Sequence, residues 1–145
     1  MNSLPLLSIC IPTYNRAGFL RECLSSINPE ELDGKVEVVV SDNASTDDTL
    51  AVLKTFQATH PLRYIVQSEN LGPERNFDAV VDEARGEYCW LLGSDDVVQP
   101  GGVRRLVAAL TSCQTDIVQF GYVQGDLHLR PQHRAAPPAG AKSPR

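Results

Sequence analysis

No apolar run in this 145-residue sequence approaches the ~20 residues that cross a bilayer, so no transmembrane segment is expected. The start, Met1-Asn2-Ser3-Leu4-Pro5, lacks the basic stretch followed by an apolar one that marks a signal peptide, and none is expected. None of the four cysteines, Cys10, Cys23, Cys89 and Cys113, stands in a Cys-x-x-Cys pair, and no histidine lies at metal-ligand spacing, which argues against zinc. Cys10 and Cys89 fall in apolar strand candidates and Cys23 on an apolar helix face. Buried free thiols, and with them a reducing compartment, are the expectation. The phosphate loop of nucleotide hydrolases and the Gly-x-Gly-x-x-Gly turn of dinucleotide dehydrogenases are both missing. Basic charge is scarce as well, with a net charge of -5. From Gln124 onward four basic residues face one acid; subtracting these from the totals of 13 and 18 leaves 9 basic and 17 acidic residues before it. So acidic a body argues against nucleic acid as a partner.

What remains is ordinary for a globular domain: 42% hydrophobic and 21% charged residues, in a chain long enough for one real core. Apolar runs of strand length occur at Leu6–Ile11, Val36–Val40, Leu62–Val66, Tyr88–Leu92 and Asp116–Gly121. Between them lie stretches with helical spacing. The first, after Asn15 as a candidate cap, carries Leu20, Cys23, Leu24 and Ile27. The second, after a Ser45/Asp48 capping box, carries Leu50, Leu53 and Phe56. The third opens at Pro73 and carries Phe77, Val80, Val81 and Ala84; the fourth carries Val103, Leu106, Val107 and Leu110. Strict alternation of strand and helix predicts an α/β fold, a mostly parallel sheet with helices on both faces. Residues 1–123 form this domain. Residues 124–145, basic and rich in Pro and Ala, read as a disordered tail.

Tyr88-Cys-Trp-Leu-Leu-Gly-Ser-Asp95-Asp96 is the most informative stretch. An apolar run suited to burial on both faces stops at two adjacent carboxylates, which should emerge at the carboxyl end of the fourth strand. Ligands of open α/β sheets bind along that edge. Paired carboxylates suit Mg²⁺ or Mn²⁺ together with phosphates; Ser-Asp-Asp is equally good chemistry for a solvated turn. Other polar residues follow the other strands: Pro12-Thr13-Tyr14, then Asp42, then Asn70 and Gly72. A ring to stack on a base, a carboxylate to bind base or ribose and a metal on phosphates describe a nucleotide-diphosphate cleft. Arg75 and Asn76, opening the third helix, would favour an anion. Each has a plainer reading: Tyr14 as a cap on the sheet, Asp42 as a turn residue bonding locally, Arg75 as a surface ion-pair partner. Asp47 and Asp48 favour a helix N-terminus and nothing more. His60, His128 and His133 have no evident partner and no assigned role.

Ser8-Ile-Cys-Ile-Pro-Thr-Tyr-Asn15, Val-Val-Val-Ser-Asp42-Asn-Ala-Ser-Thr-Asp47, Asn70-Leu-Gly72 with Arg75-Asn76, and Gly86-Glu-Tyr-Cys-Trp-Leu-Leu-Gly-Ser-Asp95-Asp96 occur in this order over residues 6–121. Together they resemble the family 2 glycosyltransferases of GT-A fold. The Gly-Ser-Asp-Asp form resembles the bacterial O-antigen and capsule branch, including abequosyltransferase-like members. The resemblance implies a Rossmann-like GT-A domain that binds a UDP-, GDP-, CDP- or TDP-linked sugar and passes the sugar to a saccharide or lipid-linked acceptor hydroxyl with inversion. It implies that Pro12, Thr13 and Tyr14 wall the base, Asp42 binds it, Arg75 lies by base or phosphates, Asp95 faces the ribose, and Asp96 holds Mn²⁺ or Mg²⁺ on the diphosphate. It also implies a role in cell-surface polysaccharide synthesis in the cytoplasm, with a peripheral place at the inner face of the membrane open to it.

Two departures from the family pattern stand out. The acid expected three residues before the metal-binding one is Gly93, leaving more of the metal to Asp96. The acceptor-binding half and the catalytic base of the family lie after the fifth strand, where this sequence has only its tail; the fold is expected to be truncated there, with no base for the acceptor. The alternative function is therefore a catalytically incomplete nucleotide- or partner-binding fragment. A phospho-acceptor receiver domain would need an Asp after the third strand and a Lys after the fifth; Asn70 and Gly121 stand nearby instead, and that reading is rejected.

Overall fold

The computed structural model describes residues 4–112, 116–119, 121–125 and 131–134, the last four by backbone alone. The chain divides into two compact units, residues 1–109 and 110–145.

The first unit alternates strand and helix. In order come β1 (Leu7–Thr13), α1 (Ala17–Ser26), a 3₁₀ turn (Pro29–Glu31), β2 (Val36–Asp42), α2 (Thr49–Gln57), β3 (Leu62–Val66), α3 (Pro73–Asp82), β4 (Tyr88–Leu91) and α4 (Gly102–Ser112), whose last turn enters the second unit. The four strands are parallel and lie in the order β3-β2-β1-β4. Right-handed crossovers dictate the helix positions. The chain steps from β1 to β2 to β3 in one direction, carrying α1 and α2 along one face. It then returns past both to β4, which brings α3 over the other. The contacts agree: α1 lies beside α2, and α3 lies on β1 and β2. Val80 of α3 is buried against Cys10 and Val39. The alternate residues Ile9, Ile11, Val38 and Val40 are buried on the opposite face, and Leu20, Leu24, Val52 and Leu53 of α1 and α2 are buried too.

β1 and β2 are the central strands, and every residue of β2 is buried. β4 is not the doubly buried strand its composition suggests. It ends the strand order, and its burial alternates, leaving Cys89 exposed and Leu91 49% exposed. The Cys89 thiol donates to Cys10 Sγ at 3.2 Å; Cys10 alone of that pair is buried. On α3 the expected apolar face is only partly covered, with Val80 buried but Phe77 and Val81 exposed.

The helix starts also differ from expectation. Asn15 does not cap α1. It adopts a left-handed φ of 50°, and its side chain accepts the Thr46 N–H at 2.7 Å. Nor do Ser45 and Asp48 form a capping box: Asp47 Oδ1 accepts the Thr49 N–H at 3.0 Å instead. Gly72 takes the positive φ, 84°, expected just before Pro73 opens α3.

In the second unit the expected fifth strand is not formed: residues 116–119 and 121 have no strand structure, Ile117 is 81% exposed, and Phe120 lies outside the described residues. An antiparallel pair forms instead, β5 (Val123–Gly125) with β6 (Pro131–Arg134), starting from Val123 opposite Arg134. Of the expected tail, 126–130 and 135–145 lie outside the described residues. Among the described residues no helix is long and apolar enough to cross a membrane.

Candidate nucleotide-sugar site

The order β3-β2-β1-β4 has its reversal between β1 and β4, and the open crevice of such a sheet lies outside the strand carboxyl ends at that reversal. Thr13 and Asp42, last residues of β1 and β2, are direct partners in the register, so the motif after one strand stands beside the motif after the other. Pro12 is half-buried one residue earlier. Tyr14 is 41% exposed and leaves its ring accessible. Thr13 is buried, and its Oγ1 is a buried side-chain oxygen with no hydrogen-bond partner among the described residues.

Asp42 is buried, and Oδ1 accepts from both the N–H and the hydroxyl of Ser45, the local turn that its position after a strand suggested. The next loop is tied to this one by Asn43. Its Nδ2 donates to Asn70 Oδ1 at 2.9 Å and its Oδ1 accepts the Leu71 N–H at 2.9 Å. Asn76 is a structural residue, not an anion ligand. It is buried under α3, accepts the Ser41 hydroxyl at 2.6 Å and donates to the Ser41 carbonyl at 3.1 Å. Arg75, its neighbour, is exposed on the first turn of α3; no hydrogen bond or ion pair joins it to the other candidate residues among those described.

After β4 the chain turns at Gly93, with the Asp96 N–H donating to the Gly93 carbonyl at 3.0 Å. Asp95 and Asp96 are both exposed. The buried Cys23 thiol of α1 lies below this turn and donates to the same carbonyl at 3.7 Å. Burial, then the negative charges of Asp96 and Asp95, push that thiol up to about 12, so it stays protonated.

Gly93 shows what this turn could hold. A Cβ placed there would stand 2.7 Å from Asp96 Oδ2 and 3.0 Å from Asp95 Oδ1. Both carboxylate oxygens thus converge on space that the missing side chain leaves open. Two such oxygens suit a hard divalent cation that completes its shell with water and phosphate. They do not make an all-protein cage: among the described residues no group of three or more His, Cys, Asp and Glu could hold a metal ion.

Arg16 is the site residue that composition and spacing did not single out. It sits inside the first motif, and its Nη1 donates to Asp95 Oδ2 at 2.7 Å, bridging the β1 and β4 loops. An isolated Arg after a turn carries no signal of its own; only the strand order brings it opposite Asp95.

Comparison with known proteins shows the family. The sequence model of glycosyl transferase family 2 matches residues 8–142. Over 115 residues the chain is 45% identical to the abequosyltransferase RfbV of Salmonella typhimurium, covering 77% of this chain and 34% of the relative. Over 104 residues it is 36% identical to a hyaluronan synthase of Pasteurella multocida, covering 71% of this chain and 10% of that one. Among solved structures it is similar to S. aureus TarS 1–349 in complex with UDP-GlcNAc, with a TM-score of 0.65 and 27% identity over 73% of this chain and 31% of TarS. It is also similar to the mannosyltransferase PcManGT of Pyrobaculum calidifontis in complex with GDP-Man and Mn²⁺, with a TM-score of 0.60 and 30% identity over 73% of this chain and 31% of the other. The chain thus spans about a third or less of the length of these relatives.

Proposed function

As the chain belongs to glycosyl transferase family 2, we propose that the carboxyl edge of its sheet binds a nucleotide-diphosphate sugar and serves transfer of the sugar to an acceptor hydroxyl in bacterial cell-surface polysaccharide synthesis. The observation that carries this reading is the gathering of Tyr14, Asp42, Asp95 and Asp96 along one edge, with the β1 and β4 loops in direct contact at the reversal of strand order. In it, Pro12, Thr13 and the exposed ring of Tyr14 wall the base. Asp42, held by Ser45, presents its carboxylate to the base, Arg75 offers its charge to the anionic ligand, and Asp95 faces the ribose.

Asp96, with Asp95 beside it over Gly93, would hold Mn²⁺ or Mg²⁺. A cation there would stabilise the departing diphosphate as a Lewis acid. With the nucleotide on one face of the sugar, attack from the other gives inversion; the base for that attack lies in no residue assigned here. The GDP-Man and Mn²⁺ of PcManGT and the UDP-GlcNAc of TarS support donors and a metal of this class, and the abequosyltransferase RfbV supports sugar transfer in a bacterial setting. A cytoplasmic location, with a peripheral place at the inner face of the membrane open to it, goes with this reading.

A second reading is a nucleotide-binding or partner-binding unit without transfer activity of its own. Calorimetric titration of the 145-residue chain with UDP, GDP, CDP and TDP, in Mn²⁺ and then in EDTA, tests both. Metal-dependent binding of one nucleotide, lost in Asp96→Ala, is expected. No binding of any nucleotide by the folded chain refutes the donor site, and binding without hydrolysis or transfer of the matching nucleotide sugar leaves the second reading.

A further inference from the structure

Arg16 takes no part in the roles set out above, yet its place is held from two sides. The Asn15 N–H donates to the Ser45 hydroxyl at 2.8 Å, and the Ala17 N–H to Asp47 Oδ2 at 2.9 Å. The residues before and after Arg16 are therefore both bonded to the loop after β2, and Ser45 of that loop also bonds Asp42. On the other side the Arg16 guanidinium reaches Asp95 Oδ2. A continuous polar chain runs Asp42–Ser45–Asn15–Arg16–Asp95. Asp95 is left with Oδ1, the oxygen that lies over Gly93 with Asp96 Oδ2.

Two bare carboxylates would offer a divalent cation two negative charges; with Arg16 on one of them, the cluster carries one. Asp95 and Arg16 are each about half exposed, at 51% and 47%, so water already weakens the pull on a cation. A cation arriving alone meets few ligands and a half-neutralised pair. One arriving with a nucleoside diphosphate brings added negative charge and oxygen ligands, which outweigh the guanidinium. We infer that Arg16 is a positioning residue that makes divalent-cation binding conditional on the nucleotide: it is the resident counter-ion of Asp95, holding off metal until a nucleotide binds and coupling metal to donor. This rests on the reading of the edge as a metal-dependent nucleotide site.

The test is Mn²⁺ affinity of the 145-residue chain, read from the free-Mn²⁺ electron paramagnetic resonance signal with and without UDP at 0.1 M salt. Arg16→Gln removes the charge, and Mn²⁺ alone then binds about 3- to 10-fold tighter, from charge interaction at half-exposed groups. With UDP bound the guanidinium has the diphosphate as a second anion, so Mn²⁺ affinity there is expected to stay as in wild type. The enhancement by UDP then shrinks by the same factor, and by linkage so does the enhancement of UDP affinity by Mn²⁺. Arg16→Lys keeps the charge and behaves as wild type. A merely structural Arg16 would instead weaken metal binding in both variants and lower the melting temperature of both. Metal-alone binding to Arg16→Gln that is no tighter than wild type, including none detectable up to millimolar Mn²⁺, overturns the inference. Asp96→Ala separates the two levels: unchanged Mn²⁺ binding with UDP sinks the metal-site reading, whereas loss there without the Arg16→Gln effect sinks only the role of Arg16.

Discussion

The carboxylate of Asp47 accepts the backbone N–H of Ala17 at 2.9 Å with one oxygen and that of Thr49 at 3.0 Å with the other, so one side chain serves the start of α1 and the start of α2. The Thr49 hydroxyl also donates to Oδ1. This double duty fastens the loop after β1 to the loop after β2. Burial opposes the charged form of Asp47, but the Thr49 hydroxyl and the Ala17 and Thr49 N–H groups outweigh it and hold the carboxyl below its usual range. Asp47→Ala should cost about 1 kcal/mol, the worth of a helix cap at an exposed site, in a urea-melt comparison. Because the folded pKa is depressed, the contribution is present above the unfolded value, near 3.8, and fades as pH falls through the folded one. A variant as stable as wild type at neutral pH would remove Asp47 from the set of caps.

Glu37 organises the opposite end of the sheet. Its Oε1 accepts the Ser8 hydroxyl at 2.7 Å and the Arg85 N–H at 2.7 Å, and its Oε2 meets Arg63 Nε at 3.2 Å; Arg63 in turn donates to the Glu83 carbonyl. Burial alone would favour the neutral acid, yet these donors prevail and hold the Glu37 carboxyl below its usual range. Its stabilising effect is therefore full above the unfolded value, near 4.5, and is lost as pH drops through the lower folded one. Glu37→Ala leaves the buried Ser8 hydroxyl without its acceptor and takes one of two carboxylates from Arg63, which keeps Glu83, at a cost of about 1–3 kcal/mol. Glu37 lies five residues, about 16 Å at strand rise, from Asp42, so nucleotide affinity of the folded variant should match wild type. A chemical melt and a titration with UDP on the same sample check both halves.

The parallel sheet, and the edge at which the candidate residues emerge, were legible in the sequence because β1 and β2 are long apolar runs ending in turn residues that alternate with helices; the order of the strands was not. The exposure of Cys89 and Leu91 was not legible, since an apolar run reports what a strand can bury and not what lies next to it. Asn15 and Ser45 were read as caps of their own helices. Both instead bond across thirty residues, Asn15 through its N–H to Ser45 and its side chain to Thr46. Short polar side chains satisfy whichever backbone donor the fold brings near, and only tertiary placement chooses. The ion pair of Arg16 with Asp95 leaves no mark in the sequence for the same reason: seventy-nine residues separate the partners.

Gly93 offers a substitution that tests the cation cradle without touching either acid. A methyl group there would meet Asp96 Oδ2 at 2.7 Å and Asp95 Oδ1 at 3.0 Å. The atoms it meets are ends of exposed side chains, which can swing aside, so folding should be little affected. What they lose in swinging is their convergence. Gly93→Ala is expected to keep the wild-type melting temperature within about 3 °C, a surface-type change. Mn²⁺-dependent UDP affinity should fall about tenfold or more, the worth of one or two charge-assisted contacts. Unchanged Mn²⁺-dependent affinity would place the cation elsewhere.

Thr13 separates a structural from a ligand-facing hydroxyl by the sign of one experiment. Its Oγ1 is buried with no partner among the described residues, at the last position of β1 and beside Asp42 in the register. A buried hydroxyl without a partner is a cost to the folded chain, so Thr13→Val, nearly the same shape without the polar atom, should leave stability unchanged or raise it by about 1 kcal/mol. A residue retained only for packing would show nothing further. If the hydroxyl is kept for the nucleotide, the same variant must bind that nucleotide more weakly, about 5- to 10-fold for one neutral hydrogen bond, while melting at or above the wild-type temperature. Stability gained together with affinity lost is a combination that a packing defect does not produce. Equal affinity in the two proteins would take Thr13 out of the donor site and leave its hydroxyl as an unexplained cost of the fold.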